Sequence, residues 1–539
     1  MNGADRIAQR LAKAGVRYAF GIPGGEVLAV VEALNAAGLE TILTKHENAA
    51  GFMAEGVWHA TGLPGVFYAT LGPGVANAVN VVANAMQDRV PLIFLTGCVD
   101  TADAETYTHQ VLDHQALLRP IVKASFRATR ETADLVVDKA LTIALSGRPG
   151  PVHIDIPITV AEGEAPDTPL VVSPLPAPSM PAEGADLLAA SKLLAHAKRP
   201  LVIAGLDAVN QNAGKALLRF CEQYNAPLIT TYKAKGIIPE TNPLALGAAG
   251  LSPKADKLLM PLVEAADVIV LAGYDPIEMR VNWRHPWPAD KAVIDIVAEA
   301  MPHGMHSSRH LFVGDVGATL QSLSAHGKPH AETWVSHQPA VVRAALGAAF
   351  RANAQSTPSW GPGVVFETLR AVMPKDTVAT ADSGAHRILV SQMWTSHHPR
   401  AMLQSSALCT MGCAVPLAMG HKLARPETPV IAFVGDAGLE MGLGELATLR
   451  DLNLAVIICV LVDQSLALIE LKQRATQRPN AAVDFGGTDF PAVATAMGGH
   501  GVWIDDRATL EAEAQAALSR GGFTVLACRI NRRAYDGAF

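Results

Sequence analysis

A chain of 539 residues, half of them hydrophobic and 17% charged, is long for one core and too apolar for a disordered segment, so two or three domains are expected. Its 43 Lys and Arg against 50 Asp and Glu leave a formal charge of −7 with no long basic run, which argues against a nucleic-acid partner. Six scattered cysteines without a CxxC read as reduced thiols, no apolar run is long enough to span a membrane, and MNGADRIAQRLAKAGVRYAF has helical spacing unlike a secretion signal, which together predict a cytoplasmic protein.

In chain order, short β-rich apolar segments alternate with helical patterns almost throughout, which predicts βα units on parallel sheets. Strands read from TGLPGVFYATLGPG (61–74) and VPLIFLTG (90–97), with a helix from Val75 between them. A proline-rich stretch, APDTPLVVSPLPAPSMP (165–181), breaks the alternation and reads as an extended linker. Strands resume in RPLVIAG, APLITTY, ADVIVLAG and KAVIDI, and a second polar interval follows near 325–360. After it come TVATAD, TPVIAFVGD, AVIICVLVD and FTVLACRI. The fold class is therefore α/β, with three doubly wound parallel-sheet domains over residues 1–165, 183–325 and 358–539, the first and third similar in style. The middle domain's VIAGLDAV (202–209) lacks GxGxxG, so a nicotinamide-type fingerprint is missing where one would be sought.

Three acids stand out. Glu47 opens the helical stretch ENAAGFMAEG, whose small and apolar residues predict burial, and an unpaired buried charge is costly. Asp436 and Asp463 each follow an apolar strand, and adjacent parallel strands would bring both carboxylates to one rim. There they would offer Mg²⁺ a hard oxygen set, while Gly435, Gly438 and the following helix start would admit a diphosphate. Read alone, an aspartate at a strand end is more often an ordinary helix cap, and only the pair raises the metal reading to equal weight.

GDAGLEMGLGELATLRDLNLAVIICVLVDQSLALI (435–469) resembles the thiamine-diphosphate motif, which begins GDG and closes near a pair of Asn. Ala437 replaces the middle Gly, and Val462-Asp463 stand where the two Asn usually do. The resemblance implies Mg²⁺ ligation by Asp436, Asp463 and the Ser465 carbonyl, with Gly435, Ala437, Gly438 and Leu466 beside the diphosphate. SSALCTMGCAVPLAMG (405–420) resembles the acetolactate-synthase segment whose Met props thiamine in a bent shape, which implies Met411 as the prop and a Cys409 carbonyl facing the 4′-amino group. ADSGAHR (381–387) resembles the diphosphate-contacting loop, implying Ser383, Gly384 and His386. FGIPGGEV, KHENAAGFMAEG and TLGPGVANAVNVVANAMQDRVPLIFLTG follow in the order seen in acetolactate synthases and related 2-oxo acid decarboxylases, adding Gly72 and Asn77 to the cofactor set. In that family an acid bonded to N1′ of the aminopyrimidine helps the thiazolium lose its C2 proton, and the resemblance assigns this role to Glu47, across a subunit interface, in a homodimer or homotetramer.

For the substrate, the resemblance implies a 2-oxo acid or an aldehyde. YTHQVLDHQALLRPIVKAS (107–125) resembles the stretch that places His109 and Gln110 near the bound intermediate; Gly25 and Leu468 join them as substrate residues. GYDPIEMRVNW (273–283) and NAAVDFGGTDF (480–490) resemble flavin-free acetolactate synthases, which leans against FAD. Glu26 stands where synthases carry a small residue; as a proton donor it would favour decarboxylation to aldehyde over carboligation, and it is equally a helix-start acid. An inactive homologue with a regulatory role is the rival from another class.

Overall fold

The computed structural model describes the chain except residues 167, 169–176, 328, 329, 331 and 352–359. Residues 167 and 169–176 of the linker expected over 165–181, and part of the interval near 325–360, therefore fall outside the described residues.

Three six-stranded sheets follow one another along the chain. The first holds β1 (Tyr18–Ile22), β2 (Glu40–Leu43), β3 (Gly65–Ala69), β4 (Leu92–Cys98), β5 (Ala124–Arg127) and β6 (Val152–Pro157), in the order β2-β1-β3-β4-β6-β5. The second holds β7 (Pro200–Ala204), β8 (Leu228–Thr230), β9 (Ala245–Ala248), β10 (Val268–Ala272), β11 (Ala292–Val297) and β12 (His310–Val313), in the order β12-β11-β10-β7-β8-β9. The third holds β13 (Val378–Ala381), β14 (Met402–Gln404), β15 (Val430–Gly435), β16 (Ile457–Val462), β17 (His500–Ile504) and β18 (Thr524–Arg529), in the order β14-β13-β15-β16-β18-β17. Counted within each domain, the first and third orders are the same. The central order is the doubly wound arrangement of dinucleotide-binding folds, with its switch point between β7 and β10.

Strands such as GVFYA (β3) and IICVLV (β16) are buried along their whole length, because helices cover both faces of a parallel sheet. The outer domains are fused through two helices, Glu47–Thr61 and Ala414–Ala424. One buried apolar cluster runs from Phe20 and Phe67 through Met53 and Leu417 to Val430 and Val460. Backbone meets backbone at the crossing: a Cβ on Gly420 would lie 1.9 Å from the Met53 carbonyl oxygen, and one on Gly56 2.4 Å from that of Leu417. Only glycine permits so close an approach. Gly420→Val is expected to push the helices apart and cost about 3 kcal/mol, read as a fall in the denaturant midpoint.

The same helix buries Glu55, whose carboxyl accepts from Asn84 Nδ2 at 3.1 Å and lies 3.3 Å from His59 Nε2. Burial pushes this acid from 4.5 up to about 7, against the opposing charge of Lys233. Over that window the folded state retains a proton that the unfolded chain releases. The stability linked to this proton is present at low pH and is lost as pH rises through 7. Glu55→Gln should therefore flatten the decline of the thermal midpoint between about pH 5 and about pH 8, measured by scanning calorimetry.

Candidate active site

A cavity of about 130 Å³ opens at the carboxyl ends of β13, β15 and β16, where strand ends, helix starts and glycines coincide. It is lined by Ser383, Gly384, His386, Met411, Gly435, Asp436, Ala437, Gly438, Asp463, Ser465, Leu466 and Leu468, so the structure brings together the three C-terminal segments singled out above. Asp436 is 3% exposed, and its carboxylate ties two strand ends: Oδ1 accepts from Ala437 N at 2.9 Å, while Oδ2 accepts from Asp463 N at 3.0 Å and Gln464 N at 2.7 Å. Asp463 Oδ1 caps the next turn through Ser465 N at 3.1 Å. Burial and the Asp436 charge push the Asp463 carboxyl up to about 8. Two desolvated carboxylates at one rim, joined by the Ser465 backbone, form an all-oxygen donor set that fits Mg²⁺. Ala437 is absent from the positive-φ residues, so replacing the motif's usual glycine costs no backbone strain here.

His386 is buried, and burial together with Arg387 pushes its imidazole down to about 3, so it is neutral. The ring packs where a Cβ on Gly384 would stand, 2.6 Å from Cε1, and its Nε2 has no partner among the described residues. An orphaned nitrogen beside two glycines and a helix start fits a diphosphate, which brings polar oxygens and negative charge. Opposite lies the 405–412 loop. Cys409 takes a left-handed backbone, φ 57°, and its Sγ lies 3.2 Å from an Arg387 guanidinium nitrogen. Buried Asp382 fastens this loop to the others: it accepts from Gly412 N at 2.7 Å and Ala414 N at 2.8 Å, and its Oδ2 stands 2.3 Å from where a Gly438 Cβ would be.

In the N-terminal domain, Glu47 is 5% exposed at the head of its helix and accepts from Asn77 Nδ2 at 3.0 Å. Lys45 N and His46 N both donate to Glu445 Oε1, so the C-terminal domain holds the entry to this helix. Glu47 does not line the 130 Å³ cavity of its own chain, whose walls all come from the C-terminal domain. Gly72, φ 64°, donates its N–H to His114 Nε2 at 3.0 Å, and a Cβ there would lie 2.3 Å from the Gln110 carbonyl oxygen. Gln110 itself has φ 59° and, like His109, is exposed. Glu26 accepts from Thr70 Oγ1 at 2.7 Å, and Gly25 beside it faces open space.

Some contributors carry no sequence signal of their own. Tyr535, 2% exposed in the C-terminal tail, forms part of the cavity wall. Asp382 lies within ADSGAHR, one position before the nearest residue singled out there. His114, His153 and Asp155 bring their ligand-type atoms within 4.8 Å of one another despite unpromising spacing. They are occupied as a hydrogen-bond network: His114 Nδ1 donates to Asp155 Oδ1 at 2.7 Å, Thr96 Oγ1 donates to the same oxygen at 2.6 Å, and His153 Nδ1 pairs with Ser125 Oγ at 2.8 Å. Since His114 Nε2 receives the Gly72 N–H, its proton sits on Nδ1, and the network braces the Gly72 turn.

The three domains match three family models in order: the N-terminal TPP binding domain of thiamine pyrophosphate enzymes over residues 1–117, their central domain over 187–323, and their C-terminal TPP binding domain over 382–528. Among known proteins, the chain is 32% identical to an acetolactate synthase large subunit of Parasynechococcus marenigrum, covering 99% of this chain and 88% of that one. It is 32% identical to a probable acetolactate synthase large subunit of Methanocaldococcus jannaschii over 87% of this chain and 81% of that protein. It is 30% identical to an acetolactate synthase of Bacillus subtilis over 93% and 88%. With the carboxylate pair, the orphaned histidine and the Cys409–Met411 loop gathered at one rim, these matches show that the chain belongs to the thiamine-diphosphate-dependent enzymes of the acetolactate synthase family.

Proposed function

We propose that this enzyme decarboxylates a pyruvate-like 2-oxo acid and ligates the product to a second carbonyl, as an acetolactate synthase does. The observation that carries the reading is Glu47: a buried carboxylate, steered by Asn77, at a helix head outside the diphosphate cavity of its own chain. Its apolar surroundings serve an acid that bonds a heterocycle and exchanges a proton with it. A second copy of the chain supplies the missing half, so a homodimer is the smallest active unit, and a homotetramer is its doubling.

When bound, thiamine diphosphate supplies the electron sink for cleaving the bond between the 2-oxo carbon and the carboxylate. Asp436, Asp463 and the Ser465 carbonyl hold Mg²⁺, and Gly435, Gly438, Ser383, Gly384 and His386 receive the diphosphate. Met411 and the Cys409 carbonyl would hold the pyrimidine, and Glu47 of the partner subunit would exchange a proton with it. Gln110, His109, Gly25 and Leu468 face the substrate. The central domain is read as flavin-free, because Arg148 and Arg89 reach in from the N-terminal domain to Asp207 and Asp275, at 2.9 and 3.0 Å, beside the switch point where a dinucleotide would lie. The free, mostly buried cysteines suit a cytoplasmic enzyme.

One observation favours a second reading. Glu26, held by Thr70 at 2.7 Å, places an acid near the Gly72 turn, where proton donation would release an aldehyde. Purified protein with thiamine diphosphate, Mg²⁺ and pyruvate separates the two readings: acetolactate supports ligation, and acetaldehyde alone assigns a simple decarboxylase. Glu47→Gln should keep the fold and cofactor binding yet lower turnover by about 10³-fold or more; near-normal turnover would overturn its role. His386→Ala should weaken thiamine diphosphate binding about tenfold, measured by titration calorimetry.

A further inference from the structure

The Pro73–Gln87 helix and its cap carry a polar stripe at Asn77, Asn80, Asn84 and Asp88, spaced three, four and four residues apart and so aligned along one face. Asn77 serves Glu47. The other three all reach the segment that presents Cys409 and Met411. Asn80 Oδ1 accepts from Thr410 Oγ1 at 3.0 Å, and Asn84 Oδ1 accepts from Ser405 Oγ at 2.6 Å. Ser405 Oγ in turn receives Thr410 N at 2.9 Å. Asp88, 2% exposed, accepts from Ser406 N and Ala407 N, each at 3.1 Å, one on each carboxylate oxygen. Lys233 of the central domain, 8% exposed, meets the same carboxylate at 2.8 Å.

The 405–412 segment has no regular secondary structure between β14 and the Ala414–Ala424 helix, so its own backbone does not fix its height. It also contains a left-handed residue, Cys409, which must be held in that conformation. We infer that Asp88 is a positioning residue: with Lys233 as its counter-charge, it sets the segment so that the Cys409 carbonyl and Met411 meet the cofactor. This role rests on the reading of Cys409 and Met411 as cofactor contacts. An asparagine has a single carbonyl oxygen, so in Asp88→Asn one loop N–H loses its acceptor and the Lys233 charge stays buried without its partner.

The test uses the full-length protein with thiamine diphosphate and saturating Mg²⁺. The calorimetric Kd and the near-ultraviolet dichroism of the bound cofactor are compared with the thermal midpoint of the cofactor-free protein. Asp88→Asn is expected to raise the Kd at least about tenfold and to alter the dichroism band, effects that loss of global stability alone would not produce. An unchanged Kd and band in Asp88→Asn overturn the inference. If that variant fails to fold, Asp88→Glu decides: it keeps the charge for Lys233 but displaces the two oxygens from Ser406 N and Ala407 N, so weakened binding supports the role and unchanged binding overturns it. Failure of the unaltered protein to bind thiamine diphosphate would overturn the cofactor assignment itself.

Discussion

The contact between the Glu47–Thr61 and Ala414–Ala424 helices governs the rest of the molecule. Gly56 and Gly420 let the two backbones touch, so the first and third domains share one apolar cluster, flanked by the polar contacts of Asn80, Asn84 and Asp88. That fusion fixes the head of one helix, carrying Glu47, relative to the loop that precedes the other, carrying Cys409 and Met411. Side chains could not set this relationship alone, since a single added methyl at either glycine would displace the helices.

Charge is then disposed around that rigid contact. Glu55, Lys233 and Asp88 are buried close to the crossing and His59 is half-buried there, and each has a partner, as burial requires. The Asp436–Asp463 pair differs, because the two acids oppose each other and their remaining needs are met by backbone N–H groups. Asp382, a buried acid with no second carboxylate beside it among the described residues, is likewise held by backbone N–H groups, from Gly412 and Ala414. What sets the pair at the strand ends apart is the closeness of two acids: burial and the Asp436 charge together push the Asp463 carboxyl up to about 8.

Much of this was legible in the sequence, and the pattern of omissions has a physical cause. The strands evident from apolar runs, such as VPLIFLTG and AVIICVLV, lie inside their sheets and are covered on both faces. Among the described residues the six edge strands, β2, β5, β9, β12, β14 and β17, are short or half-exposed and carry mixed patterns such as ETIL and HGVWI, while β1 and β6, also unread, lie inside the first sheet, where His153 and Asp155 interrupt the apolar run of β6. The motifs found the cavity because its residues sit on strand-end turns, where close backbone approach restricts the residue type. Tyr535 and Asp382 escaped notice because a buried wall or brace places no comparable demand on neighbouring positions.

The sequence by itself determined the class of sheet, the succession of three domains, the two aspartates at strand ends and Glu47 as an acid at the head of a buried helix. Each of these follows from local chemistry, since a strand end, a glycine or a misplaced charge is recognisable where it stands. Only the tertiary structure decided that Glu47 lies outside the C-terminal cavity of its own chain, that Asn80, Asn84 and Asp88 grip the 405–410 segment, and that Arg148 pairs with Asp207 of the central domain. Those facts depend on how separate domains are pressed together, and packing at a distance leaves no trace in the spacing of residues along the chain.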